Sequence, residues 1–120
     1  MKVNPYEFEE LLSELWEEMG YETYRTARSH DRGVDVVAEG GNKIAIQAKR
    51  HQGNIGSPKV REMVGSPQVK NADEGILVTT SGFTKDAEQT AGEIENVRLI
   101  DGDELVDMLR EHQIPSHKYV

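Results

Sequence analysis

Apolar and polar side chains alternate over residues 34–48 on both sides of a glycine-rich turn, and this pattern constrains the fold more than any other stretch. It predicts a β-hairpin with strands over 34–39 and 43–48. A three-residue loop over 40–42 sets a register of three cross-strand pairs: Glu39 with Lys43, Val37 with Ala45, and Asp35 with Gln47. A two-residue loop would turn Asp35 toward the apolar side of the partner strand, which burial disfavours. We therefore expect Asp35, Gln47 and Lys49 to share one face, opposite the valines and isoleucines of the core.

The remaining pattern predicts an α/β chain. A helical stripe of large apolar residues begins after Pro5 and stops at Gly20, so a first helix covers about residues 5–19. Further strands are expected over 21–27, 75–80 and 97–100, and further helices after Ser57, after the cap Thr84 and over 101–112. The helix after Ser57 must kink or restart at Pro67. The predicted order is α-β-β-β-α-β-α-β-α, a sandwich with a central mixed β-sheet flanked by helices, in one domain over residues 1–120 with a loose tail at 115–120.

The composition excludes several classes of protein. The chain has no cysteine, which excludes disulfide bonds and thiolate metal sites. The N-terminus has no apolar h-region, and no apolar run approaches the roughly 20 residues of a membrane span, so we expect a cytoplasmic protein with no membrane partner.

The charge is distributed unevenly along the chain. The net charge is −8, yet residues 25–70 carry nine lysines and arginines against four acids, a balance of +5 that leaves −13 elsewhere. Two interpretations fit: a basic face that binds a polyanion, or chance clustering on an acidic protein. A basic face is what the neutralisation of phosphates requires.

The polar residues of the hairpin indicate phosphate chemistry. Carboxylate and carboxamide oxygens are hard ligands that suit Mg²⁺, which takes one or two protein groups together with water and phosphate. A lysine beside them can hold a phosphate oxygen and offset charge that develops in the transition state. Asp35, Gln47 and Lys49 together predict metal-assisted hydrolysis of a phosphodiester, although a Gln and a Lys on a strand face are, taken alone, ordinary solvated residues.

Several blocks of sequence resemble the catalytic domain of Mrr-like restriction endonucleases, a branch of the PD-(D/E)XK nuclease superfamily. They are, in chain order, Phe8-Glu9 ahead of Gly20-Tyr21, the Asp31-x-Gly33-Val34-Asp35 segment, Gln47-x-Lys49, Gly75-Ile-Leu-Val-Thr-Thr80, and Gly82-Phe83-Thr84. The blocks cover nearly the whole chain, and this branch typically has Gln in place of the usual acid. The resemblance implies a restriction-endonuclease-like fold and a DNA endonuclease activity.

The resemblance also implies a role for each site residue. Asp35 would be the principal metal ligand, Gln47 a second ligand or water-orienting group, and Lys49 the catalytic lysine. The backbone carbonyl of Ala48 and the acid of the first helix, Glu9, would complete the metal site, with Mg²⁺ as the cofactor and Mn²⁺ as a substitute. Glu9 has independent support, because it lies at the edge of the apolar stripe and can face the sheet.

Basic residues on both sides of the hairpin are candidates for phosphate contacts, which position a duplex without reading its sequence. They are Arg25, Arg28 and Arg32 before it, and Arg50, Lys59 and Arg61 after it. Lys59 and Arg61 fall in the first turn of their predicted helix, where positive charge opposes the helix dipole, so stability does not explain them. Ordinary surface charge is the alternative for each of the six.

We expect DNA as the partner, and a homodimer that presents one site to each strand. Mrr-like proteins usually carry a separate DNA-recognition domain that 120 residues do not accommodate, so either recognition would come from a partner or from the dimer, or cleavage would be weakly sequence-specific. Two alternatives stay open: a Holliday-junction resolvase, which usually has Glu at the position of Gln47, and a catalytically idle DNA-binding module of the same fold.

Overall fold

A five-stranded mixed sheet organises the part of the chain that the computed structural model describes, residues 5–26, 35–49 and 53–115. The elements are α1 (Pro5–Glu18), β1 (Glu22–Arg25), β2 (Val36–Gly40), β3 (Asn42–Lys49), α2 (Ser57–Val64), α3 (Pro67–Lys70), β4 (Glu74–Thr79), α4 (Lys85–Gly92), β5 (Val97–Ile100) and α5 (Gly102–Glu111). The strands lie in the order β1-β2-β3-β4-β5, with antiparallel pairing from β1 to β3 and parallel pairing from β3 to β5. This confirms the predicted mixed sheet flanked by helices. No helix within these ranges combines the length and the apolar character that crossing a membrane requires.

The hairpin of β2 and β3 has the predicted register. Glu39 lies opposite Lys43 and Val37 opposite Ala45, and the pairing ends with Val36 opposite Ile46. The turn is tighter than the three-residue loop that we predicted, because Gly40 pairs with Asn42 and leaves only Gly41 between the strands. Gly41 has a φ of +78°, a conformation that glycine adopts without strain.

Strand β1 joins this hairpin through side chains as well as through its backbone. The Tyr24 hydroxyl donates to Glu39 Oε1 at 3.0 Å, and Lys43 Nζ lies 3.9 Å from the same oxygen. The hydrogen bond to Glu39 raises the pKa of Tyr24, with desolvation and the charge of Glu39 as smaller causes. These groups hold the turn end of the hairpin, at the opposite end from Asp35.

Pro67 divides the helix that the sequence predicts after Ser57. The first part, α2, ends at Val64, and α3 begins at Pro67. Proline lacks the N–H that a continuous helix needs, and its ring crowds the preceding turn. The Ser66 hydroxyl accepts from the Val69 N–H at 3.3 Å and caps the new helix. The predicted kink or restart is therefore confirmed.

The last two helices begin at polar caps near the predicted positions. The Thr84 hydroxyl accepts from the Ala87 N–H at 3.1 Å, and the Asp101 carboxylate accepts from the Glu104 N–H at 2.8 Å. Of the predicted tail, Pro115 is exposed, and residues 116–120 lie outside the described ranges.

Helices cover both faces of the sheet. Helices α1 and α5 pack on the face that includes Val36, and α2, α3 and α4 cover the other face. On that second face, Val37 and Ala45 pack against Val69 of α3. The face to which the pattern assigned the polar residues of the hairpin is therefore a second core layer. A polar side chain on it must be buried or must lie at its margin.

Helix α5 approaches the end of β4 closely at Gly102. The Gly102 N–H donates to the Ser81 carbonyl at 2.9 Å. A Cβ at this position would overlap the carbonyl oxygen of Thr80. The contact therefore requires glycine, and it holds α5 against the segment that follows β4.

Gly102→Ala should lower the free energy of unfolding by about 1–3 kcal/mol, because the added methyl group forces α5 away from the Thr80 backbone. Gly92→Ala is the matched control. Gly92 ends α4 with open space at its Cβ position, so this substitution should be neutral or stabilising by up to about 1 kcal/mol. Urea denaturation followed by circular dichroism measures both, and equal effects at the two positions would contradict the close contact.

Candidate active site

Asp35 lies immediately before β2, and its carboxylate is built into the sheet. Its Oδ2 accepts a hydrogen bond from the Ala48 N–H of β3 at 2.8 Å, and its own N–H donates to the Ile46 carbonyl at 2.9 Å. The side chain thus takes the place that a β2 carbonyl would have in a continued ladder. This arrangement replaces the backbone pair of Asp35 with Gln47 that we predicted. It still fixes the carboxylate against the segment from Gln47 to Lys49.

Gln47 is buried, with only 4% of its surface exposed. It lies beside Leu77 of β4 in the parallel ladder, on the face covered by α2 and α4. Its Oε1 has no hydrogen-bond partner within the described residues. A buried acceptor without a donor costs about 1–3 kcal/mol, so this oxygen lowers the stability of the free protein.

Lys49 ends β3, at the edge where the parallel strands β3 and β4 finish. It is half-buried and lies beside Thr79 in the register. Its side chain lines a cavity of about 420 Å³ whose other walls come from residues 54–62. Because strand side chains alternate, Lys49 shares the face of Gln47. The structure thus bonds the Asp35 carboxylate to the Ala48 N–H, and Gln47 and Lys49 flank Ala48 along β3.

The segment that follows β3 is fastened to the end of β4 by Ser81. The Ser81 hydroxyl donates to the Gly53 carbonyl at 2.8 Å and lies 3.1 Å from Oγ1 of the buried Thr79. The Ile55 N–H donates to the Gly82 carbonyl at 2.9 Å and continues the contact. The sequence pattern did not predict this contact. The one feature that could have indicated it is a serine followed by a glycine at the end of a buried strand.

Glu9 is buried in α1, with 7% of its surface exposed. Among the described residues it is the only acid in the core. Helix α1 covers the face of the sheet opposite to Gln47, so these two side chains lie in different layers. The Asp35 carboxylate lies between the layers, since it occupies a ladder position in the plane of the sheet.

The donor set fits a hard divalent cation. Asp35 offers a carboxylate, Gln47 an unpaired carboxamide oxygen, and Ala48 a backbone carbonyl on the same strand. Mg²⁺ prefers such oxygen ligands and keeps several waters. In the described part of the chain, no cluster of three His, Asp or Glu side chains is arranged to bind a metal. A cation at this position would therefore depend on neutral oxygens beside Asp35.

The basic residues predicted to contact DNA lie in different places. Lys59 is half-buried in α2 and lines the same cavity as Lys49. Arg61 instead lines a second cavity, of about 320 Å³, whose walls include Asp86 of α4. It lies in the last turn of α2, where a positive charge favours the helix dipole, and not in the first turn as we predicted. Arg25 is exposed at the end of β1. The remaining three, Arg28, Arg32 and Arg50, lie outside the described residues.

Gln47→Met should raise the free energy of unfolding by about 1 kcal/mol in EDTA, because an apolar side chain of similar length replaces an oxygen that lacks a donor. Leu77→Met, at the neighbouring buried position of β4, is the control for repacking and should be neutral or destabilising. Urea denaturation measures both variants. A loss of stability in Gln47→Met that matches the loss in Leu77→Met would contradict the unpaired state of the oxygen.

Comparisons with known proteins identify the family and the fold. A family model described as a restriction endonuclease, Mrr_cat, matches residues 1–109. The type IV methyl-directed restriction enzyme EcoKMrr of Escherichia coli strain K12 is 31% identical over 123 residues, which cover 95% of this chain and 40% of that protein. The structure of the DNA modification-dependent restriction endonuclease AspBHI is similar with a TM-score of 0.74 at 23% identity, over 92% of this chain and 32% of its own. The MspJI restriction endonuclease, in complex with a 27-mer oligonucleotide, gives a TM-score of 0.66 at 24% identity, over 86% of this chain and 27% of its own.

The likeness to the solved structures shows a restriction-endonuclease-like fold. The chain spans about 40% of the length of the curated relative that it matches. The family match includes the positions of Asp35, Gln47 and Lys49. The chain therefore belongs to the Mrr-like restriction endonuclease family, of which it forms the nuclease domain.

Proposed function

We propose that the domain is a metal-dependent DNA endonuclease that hydrolyses phosphodiester bonds. One observation supports the proposal above the others: the Asp35 carboxylate is bonded to the Ala48 N–H, and Gln47, with its unpaired oxygen, and Lys49 are the neighbours of Ala48 on β3, in a chain of this family. A strand with a purely structural role gains no stability from a buried carboxamide oxygen without a donor. Such local conflicts with stability are expected at functional sites.

Mg²⁺ is the proposed cofactor, and Mn²⁺ should substitute for it. Asp35 and Gln47 would hold the ion together with the Ala48 carbonyl, and Glu9 is the further acid proposed for the site. When bound, such an ion supplies a Lewis acid and an activated water. The protein's part is to fix the donors in advance, since the Ala48 N–H holds the carboxylate and β3 holds the carboxamide.

Lys49 is the proposed catalytic lysine. Its half-buried position at the strand end places a positive charge beside a partly enclosed cavity, where a charge acts more strongly than in bulk water. We assign its ammonium group to the non-bridging oxygens of the scissile phosphate. There it offsets the negative charge that the phosphate gains as water attacks.

DNA is the proposed substrate, on the basis of the restriction enzymes to which the chain is similar. A homodimer would present one site to each strand of a duplex. Recognition of the target would come from a partner or from another domain, because the relatives are much longer than the region that matches. Basic residues around the site would contact phosphates and so position the duplex, and Arg61, which lines the separate cavity that includes Asp86, is not one of them.

Lys49→Ala should lower the rate of DNA cleavage in Mg²⁺ by about 10²- to 10³-fold, because the transition state loses the cation that we place beside the phosphate. Lys43→Ala removes the same charge from the same face at the other end of β3, and it should leave the rate within about twofold of the wild-type value. Cleavage of linear and supercoiled duplex followed on gels measures both rates. Wild-type cleavage by Lys49→Ala would rule out this site.

Asp35→Asn should abolish the binding of Mg²⁺ and Mn²⁺ in isothermal titration calorimetry. The substitution removes the charge of the principal ligand, while the amide oxygen can still accept from the Ala48 N–H and preserve the fold. Asp73→Asn is the matched control, because Asp73 accepts from the Lys43 N–H at 2.7 Å and lies away from the site. Metal binding that survives in Asp35→Asn, or that is lost equally in both variants, would show that Asp35 is not the ligand.

A further inference from the structure

The cavity beside Lys49 contains a second lysine. Its volume of about 420 Å³ falls within the range of roughly 300–1,000 Å³ that is typical of ligand sites. Among the described residues that line it, Lys49, Lys59 and Glu62 are charged and together carry a net charge of +1. Two like charges at one cavity repel each other, and partial burial strengthens the repulsion. An anion in the space between the two lysines would offset this repulsion.

The position of Lys59 in α2 is not explained by helix stability. It is the third residue of the helix, where a cation opposes the dipole, and the first turn contains no acid. Its described ion pair is with Glu62, with Nζ 3.3 Å from Oε1, and the two side chains are 29% and 57% exposed. A pair of this kind contributes little to stability. Glu62 can therefore be exchanged readily for a stronger anion.

Hydrogen bonds hold one wall of the cavity. Asn54 and Ile55 belong to the segment that Ser81 fastens to the end of β4 through the Gly53 carbonyl. The Ile55 N–H is bound to the Gly82 carbonyl. These bonds reduce the cost of ordering Asn54 and Ile55 when an anion binds.

We propose that this cavity binds a second phosphate of the DNA strand, next to the phosphate at Lys49, and that Lys59 is the residue that binds it. The inference rests on the proposed nuclease function. Glu62 is the internal counter-ion, which neutralises Lys59 in the free protein and yields it to the phosphate. Two phosphates held by Lys49 and Lys59 fix the strand relative to the site without contacts to bases.

Arg61 provides a matched comparison within the same helix. Residues two positions apart in the sequence point about 200° apart around an α-helix. Arg61 therefore faces away from Lys59 and lines the cavity that includes Asp86. Replacing either residue by alanine removes one positive charge from α2. A general electrostatic effect would appear equally in both variants, whereas a phosphate contact in the Lys49 cavity would appear only in Lys59→Ala.

The test measures binding of a short fluorescent DNA duplex by anisotropy in EDTA over roughly 50–200 mM KCl. Lys59→Ala should reduce the slope of log K against log[KCl] by about 0.9, the value for one phosphate contact, and should weaken binding about tenfold at ~0.1 M KCl. Lys59→Gln keeps much of the aliphatic stem and should behave in the same way, while Arg61→Ala should keep the wild-type slope. Glu62→Gln should tighten binding by about two- to fivefold, since it frees Lys59.

An unchanged slope in Lys59→Ala, or equal losses in Lys59→Ala and Arg61→Ala, would overturn the second phosphate site. Weaker binding by Glu62→Gln would overturn the role of Glu62 as a counter-ion. Because binding is measured without metal, this result is separate from catalysis. If the wild type cleaves DNA and Lys59→Ala keeps the wild-type slope, only the second phosphate site is contradicted. If Lys59→Ala changes the slope but the wild type does not cleave DNA in Mg²⁺, only the nuclease proposal is contradicted.

Discussion

The hydrogen bond between the Asp35 carboxylate and the Ala48 N–H links the fold to the candidate site. It lies where the pairing of β2 with β3 ends, and it orients the carboxylate. Among the described strands, β3 alone has an antiparallel neighbour on one side and a parallel neighbour on the other. Antiparallel pairing with β2 places Asp35 beside β3. Parallel pairing with β4 leaves an open carboxyl edge, the place where α/β sheets bind ligands, and Lys49 lies there. Strand β3 thus joins the antiparallel and parallel parts of the sheet and also contributes polar groups of the candidate site.

The burial of Gln47 places a polar group where an apolar side chain would be more stable. Its neighbours on the same face, Ala45 and Leu77, belong to apolar layers beneath the helices. An apolar residue in its place would extend those layers, whereas the unpaired Oε1 costs about 1–3 kcal/mol from a typical total stability of about 5–15 kcal/mol. The sequence pattern placed Gln47 on the face opposite the core, so it identified the residue as a site candidate but did not predict its burial.

Local patterns predicted the sheet, and non-local contacts completed the site. The register followed from alternation, and the tighter turn at Gly41 left it unchanged because Gly40 and Asn42 pair in the same frame. The contact of Ser81 with Gly53 joins residues 28 positions apart and leaves no periodic trace in the sequence. Whether a face of β3 is exposed or covered depends on where α2 and α3 pack on the sheet. The periodicity of a strand does not encode this packing. The opposite directions of Lys59 and Arg61 were accessible from helical geometry alone.

The net charge of −8 does not conflict with the proposed binding of DNA, because binding would depend on the local charge around the site. The molecule measures 33 × 31 × 27 Å, and exposed charges more than about 8–10 Å apart are largely screened at physiological salt. The acids of α1 and α5 lie on the opposite side of the sheet from the Lys49 cavity. Lys49 and Lys59 line one partly enclosed cavity, where screening is weaker. Acids lie on this side of the sheet as well, since α4 carries Asp86 and Glu88, so the proposed binding would depend on the charges beside the cavity and not on a uniformly basic face.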